Sequence, residues 1–332
     1  MTQQSMDALL QWLSSADNPP VRYLVARDLQ EPPPQPAELA RLRDEVMDWG
    51  PLAQILELQL DDGSFPYRQK THTAQPTLAA LCVMERCGLE VTDEPVVRVL
   101  DYLTARHLFE GVITYTGGGS GVLPCYLGVT TTALIKMGAA DSDIVKASIR
   151  WLVDHQRFDD KQQRAGGTKN WPFRAPQNYG CWESVSCYHG VAGAFRALAA
   201  LPESHRSPDV TDRLDSALAY LRSRRLYKRT GRDTPLFKHM TQFFLVGDYR
   251  YDLIDMLTGI ADADPALINE AWVSEAVETV SNLTDDGRVT LVKNYGRHLI
   301  DPIPLEPLDE PSRFLTYQWL KVSRMLDEAR HR

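Results

Sequence analysis

The sequence predicts an all-α protein in which amphipathic outer helices alternate with more apolar inner ones. Bulky residue pairs recur from about residue 38 onward, at Ile55-Leu56, Tyr102-Leu103, Trp151-Leu152, Tyr220-Leu221 and Thr279-Val280. Each pair ends a helix that carries charge on one face, and a loop and then a more apolar helix follow. Strand patterning is confined to residues 112–115 and 289–292.

In chain order, residues 6–13 and 21–29 read as a helical hairpin split by Asn18-Pro19-Pro20, where a proline in the first helical turn gives up only an N–H that has no partner there. Glu31-Pro32-Pro33-Pro34-Gln35-Pro36 fixes an extended connector, because consecutive prolines exclude helix. We divide the chain into residues 1–37, the hairpin and connector, and residues 38–332, the repeat domain. The inner helices are expected at 76–87, 125–137, 187–201, 249–260 and 312–326, with clear outer helices at 210–225 and 267–282.

Composition narrows the function. The 332 residues are 43% hydrophobic and 24% charged, with a formal net charge of −8. No basic run is present to neutralise phosphates, so a nucleic-acid partner is not expected. No apolar stretch approaches the roughly 20 residues of a membrane span, and no leader pattern opens the chain, so a cytoplasmic location is expected. Five cysteines, an odd number, suit reduced thiols, with Cys82 and Cys87 read as small buried hydrophobes.

Two helix starts share a pattern: Cys125-Tyr126-Leu127-Gly128-Val129 and Cys187-Tyr188-His189-Gly190-Val191. Two turns are also alike, Gln59-Leu60-Asp61-Asp62-Gly63-Ser64-Phe65 and Asp285-Asp286-Gly287-Arg288-Val289, and both read as tight turns around a glycine. In these turns, and in the Ser186-Cys187-Tyr188 helix start, residues 45–328 resemble the terpenoid cyclase and protein prenyltransferase superfamily. The resemblance implies an α/α toroid, with inner helices around a central cavity. It also implies an enzyme acting on a small, largely apolar molecule by cyclisation, elimination or hydrolysis. The Asp-x-Asp-Asp acid motif of the cyclases is absent, as is the Asp-Asp-x-x-Asp motif, and Val185 stands where the prenyltransferase zinc site has Asp.

In a toroid the starts of the inner helices surround one mouth. They supply His72, Cys125, Cys187 with His189, His239 with Asp252, and His298 with Arg313. Cys125, Cys187, His189 and His239 form a candidate ligand set for zinc, which takes sulfur and imidazole nitrogen. Cys187 with His189 is a candidate thiolate pair, since a helix start lowers a thiol pKa, and Asp252 is a candidate acid or base. The bland alternatives are that the cysteines pack as small residues, the histidines cap helix ends and Asp252 complements the helix dipole. Tyr126, Trp171, Trp182, Tyr188 and Tyr251 are candidate substrate-binding aromatics. A ligand-binding or protein-interaction module without catalysis, open to a protein partner, is the alternative to an enzyme.

Overall fold

The computed structural model describes residues 3–66, 74–115, 122–160, 186–295 and 303–331. Among them the protein is all-α, with two short β-pairings. Trp171, Trp182, His72 and His298 lie outside the described residues.

Helix α1 (Gln3–Leu13) and α2 (Pro19–Asp28) form the N-terminal hairpin. Asn18 caps α2, its side-chain oxygen accepting from the Val21 amide at 3.2 Å. Helix α2 packs on α3 (Pro36–Met47), and its apolar residues join a core shared with the rest of the chain.

The outer layer continues through α4 (Gly50–Leu56), α6 (Glu94–His107), α8 (Asp143–His155), α10 (Pro208–Ser223) and α12 (Ala271–Asn282). Between them run α5 (Gln75–Arg86), α7 (Pro124–Leu134), α9 (Tyr188–Ala200), α11 (Leu253–Ala263) and the closing α13 (Arg313–Arg330). These five are buried along most of their faces and pack in chain order, α5 on α7, α7 on α9, α9 on α11 and α11 on α13. The α7–α9 crossing is the tightest of them, because glycine meets glycine. A Cβ on Gly128 would lie 2.2 Å from the carbonyl carbon of Gly193.

Several boundaries depart from the hydropathy pattern. Helix α7 gives way to a wider turn at Ile135–Ala139, where Gly138 takes φ 94°. Residues 249–251 fall outside α11, because Asp252 caps that helix and Asp248 takes a left-handed conformation just before it. The outer segment expected at 267–282 begins instead as a 3₁₀ turn, Pro265–Asn269, before α12.

The two Gly turns do one job. Gln59 donates to the Gly63 and Pro95 carbonyls at 3.1 and 2.9 Å, tying the end of α4 to α6. Two residues after each turn glycine, a backbone amide donates to a threonine in the first turn of an inner helix. Phe65 donates to Thr77 at 3.1 Å, and Val289 to Thr316 at 2.9 Å. The β-pairings are minor: β1 (Leu108–Phe109) with β2 (Val112–Ile113), and β3 (Val289–Thr290) with β4 (Pro311–Ser312), both antiparallel.

Candidate functional site

The N-terminal ends of α5, α7, α9 and α11 bring together one aromatic and acidic cluster. The α5 start contributes Gln75, the α7 start Tyr126, the α9 start His189, and the segment before α11 contributes Asp248, Tyr249 and Arg250. A 3₁₀ turn at Lys238–Thr241 adds His239, with Phe237 just before it.

Asp248 sits in the middle. Its φ is 60°, a conformation Asp tolerates better than most residues. The turn that holds it requires glycine at 247, where a Cβ would meet the Arg250 carbonyl oxygen at 2.3 Å. The side chain is 9% exposed. Its Oδ2 accepts from Gln75 Nε2 at 3.0 Å and from the Tyr126 hydroxyl at 3.2 Å, while Tyr115 donates to Gln75 Oε1 at 3.2 Å and so fixes the side-chain amide. Burial raises the Asp248 pKa to about 6, outweighing the opposing effects of Tyr126, Arg250 and Gln75. Oδ1 carries no hydrogen bond from the described residues.

Aromatic faces extend from this carboxyl group. Tyr115 and Tyr126 lie 4.4 Å apart by ring centroid, Tyr126 and Tyr249 5.3 Å, and Tyr249 and His189 5.3 Å. His189 then stacks on Phe237 at 4.6 Å and on His239 at 5.3 Å. Arg250 is held between Tyr249 and Tyr295, 4.3 and 4.4 Å from their centroids, with its Nη1 3.8 Å from Asp248. Burial, then the charges of neighbouring groups, lower the pKa of His189 to about 3 and of His239 to about 4, so both imidazoles are neutral at pH 7. Burial likewise raises the Tyr126 and Tyr249 hydroxyls.

The remaining candidates divide between this cluster and the interior. Cys125 is buried beside Tyr126, and Cys187 stands at the N-cap of α9 without a side-chain capping bond. Tyr188 turns inward and donates to the Leu226 carbonyl. Asp252 caps α11. Its Oδ1 accepts from the Asp255 amide at 2.9 Å and its Oδ2 from the Phe244 amide at 3.3 Å, leaving the side chain 1% exposed. Tyr251 is buried, with a hydroxyl that finds no hydrogen-bond partner among the described residues.

No group of three or more His, Cys, Asp or Glu side chains among the described residues could hold a metal ion. The His189 and His239 rings lie 5.3 Å apart by centroid with their planes 19° apart.

Asp248, Gln75, Tyr115, Arg250 and Tyr295 escape sequence reasoning as site residues. The nearest local signal is Gly247-Asp248 ahead of an aromatic run, which marks a turn but not its destination. Among the described residues, no helix is long and apolar enough to cross a membrane. The chain matches no known family model, and comparison with curated proteins yields no match.

Proposed function

We infer that the inner helices close into an α/α toroid and that the cluster at their N-terminal ends is the site of an acid–base enzyme for a small, largely apolar molecule. The successive packing of α5, α7, α9, α11 and α13 supports the ring, as does the Arg86–Gln318 hydrogen bond between α5 and α13. The observation that carries the catalytic reading is Asp248, a carboxyl group with a pKa of about 6 set among aromatic faces. A proton-transferring group works best when its pKa lies near the working pH.

The chemistry follows from that placement. The protonated Asp248 carboxyl delivers its proton to an alkene carbon or an epoxide oxygen. With an alkene, the π pair forms the new C–H bond and leaves a carbocation. The faces of Tyr126 and Tyr249 stabilise such a cation through their ring quadrupoles. The Asp248 carboxylate, held by Tyr126 and Gln75, then removes a proton from a neighbouring carbon to give a rearranged alkene and restore the acid. No step is routed through a metal.

The test uses solvent as the tracer. Wild-type protein is incubated in D₂O with short isoprenoid alkenes and epoxides, and products are analysed by mass spectrometry. Deuterium on carbon in wild-type reactions, absent with Asp248→Asn, is the expected result. Tight binding of the same compounds without exchange would replace the enzyme with a ligand-binding module.

A further inference from the structure

A second site lies deeper, between the inner helices. A cavity of about 60 Å³ is lined by Arg86, Lys136, Arg196 and Tyr251, among others, and reaches Asp248 and Arg250 at one end. At the other end Glu85, Arg86 and Lys136 also line a much larger cavity of about 1080 Å³, around the C-terminal ends of α5, α7, α9 and α11.

Arg196 is the unexplained residue. It projects from the middle of α9 and its side chain is 4% exposed. Nε and Nη1 make no hydrogen bond with any described residue, and the nearest carboxylate, Asp262, stands 3.6 Å from Nη1, beyond good hydrogen-bond distance. The fold nevertheless makes room for it. Gly259 of α11 faces the guanidinium stem, where a Cβ would come within 3.0 Å of Arg196 Cδ and 2.5 Å of the Phe195 ring. The Tyr251 hydroxyl, on the same cavity wall, is also without a hydrogen-bond partner among the described residues. Asp262 is within ion-pair reach, but the guanidinium is a rigid fork of donors suited to an oxyanion, and buried donors left without hydrogen bonds are unfavourable.

The charges around the cavity are close to balanced once Asp262 is counted, so the open donors rather than net charge favour an anion. Arg86 is committed to Asp255 at 2.8 Å, and Arg250 is held by Tyr249 and Tyr295. Glu85 is the remaining acidic group on the wall, besides Asp248, against Lys136 and Arg196. Enclosure by the surrounding protein, then the charge of Arg196, lowers the Lys136 pKa to about 8, against the opposing charges of Glu85 and Asp262, while the side chain itself is exposed and also lines the larger cavity.

We propose that this inner cavity binds a small oxyanion of phosphate size, held by Arg196 and Lys136 with the Tyr251 hydroxyl as a further donor. The site goes beyond the catalytic reading and stands without it. The probe is inorganic phosphate, titrated into wild-type protein by calorimetry, with chloride at equal ionic strength as the control. The expected result is one site per chain with a Kd of about 1 mM or tighter. Arg196→Met and Lys136→Met should each weaken it about tenfold or more. Phosphate should also raise the melting temperature of wild type and not of Arg196→Met. If Arg196→Met does not fold, Lys136→Met alone decides. The proposal is overturned if wild type shows no saturable phosphate binding, or if the folded variants bind as wild type does, which would mark an adventitious ion elsewhere.

Discussion

At the scale of single residues, Asp248 and the two stacked histidines pull stability in opposite directions as pH changes. His189 and His239 have folded pKa values of about 3 and 4 against an ordinary 6.5, so the stability they carry is present above 6.5 and is lost as pH falls toward those values. Asp248 has a folded pKa of about 6 against an ordinary 3.8, so its contribution is present below 3.8 and is lost as pH rises through 6. Between about pH 4 and 6 the carboxyl therefore offsets part of the histidine gain. Asp248→Asn should make stability climb more steeply with pH across that window, by up to about 1.4 kcal/mol per pH unit. Urea midpoints at several pH values measure this, and a profile parallel to wild type would show that Asp248 titrates normally.

At the scale of elements, the paired glycine turns show what the sequence does and does not disclose. Asp62-Gly63 and Asp286-Gly287 are legible as turns, since Gly63 and Gly287 take φ 86° and 78°. What they accomplish is not legible, because Thr77 and Thr316 are ordinary residues until the inner helix folds back to meet Phe65 and Val289. Thr77→Val keeps the shape and leaves the Phe65 amide buried without an acceptor. It should lower unfolding free energy by about 1–3 kcal/mol, read from denaturant curves. An unchanged midpoint would mean that water replaces the hydroxyl. Helix identity was legible for a related reason: α5, α7, α9 and α11 are apolar nearly all round, whereas α6, α8 and α10 carry one charged face. The ends were harder to place, since Gly138 and the Asp252 cap act through conformation and leave no periodic trace.

At the scale of the whole molecule, long-range polar contacts decide what no local pattern can. Asp248 meets Gln75 across 173 positions of chain and Tyr126 across 122. Sequence reasoning therefore found Tyr126, His189 and His239 as residues at helix starts but passed over the carboxyl group among them. Arg86 plays the corresponding part in the interior, bonding Asp255 of α11 at 2.8 Å and Gln318 of α13. The positive charge of Arg86 helps keep Asp255 ionised, while burial, then the Asp255 charge, pushes the Asp252 carboxyl up. Arg86→Met should lower stability by about 3–5 kcal/mol, because it strands the buried Asp255 charge. Removing the exposed Arg41–Glu45 pair should change it by about 0.5 kcal/mol. Equal losses in chemical denaturation would show that the interior pair carries no special weight.

The glycine-to-glycine crossing of α7 and α9 has a mechanical consequence. Two backbones in direct contact, with a Cβ excluded at Gly128, can neither slide nor roll past one another without collision. The pair behaves as one stiff beam, and Tyr126 and His189 are fixtures at its end.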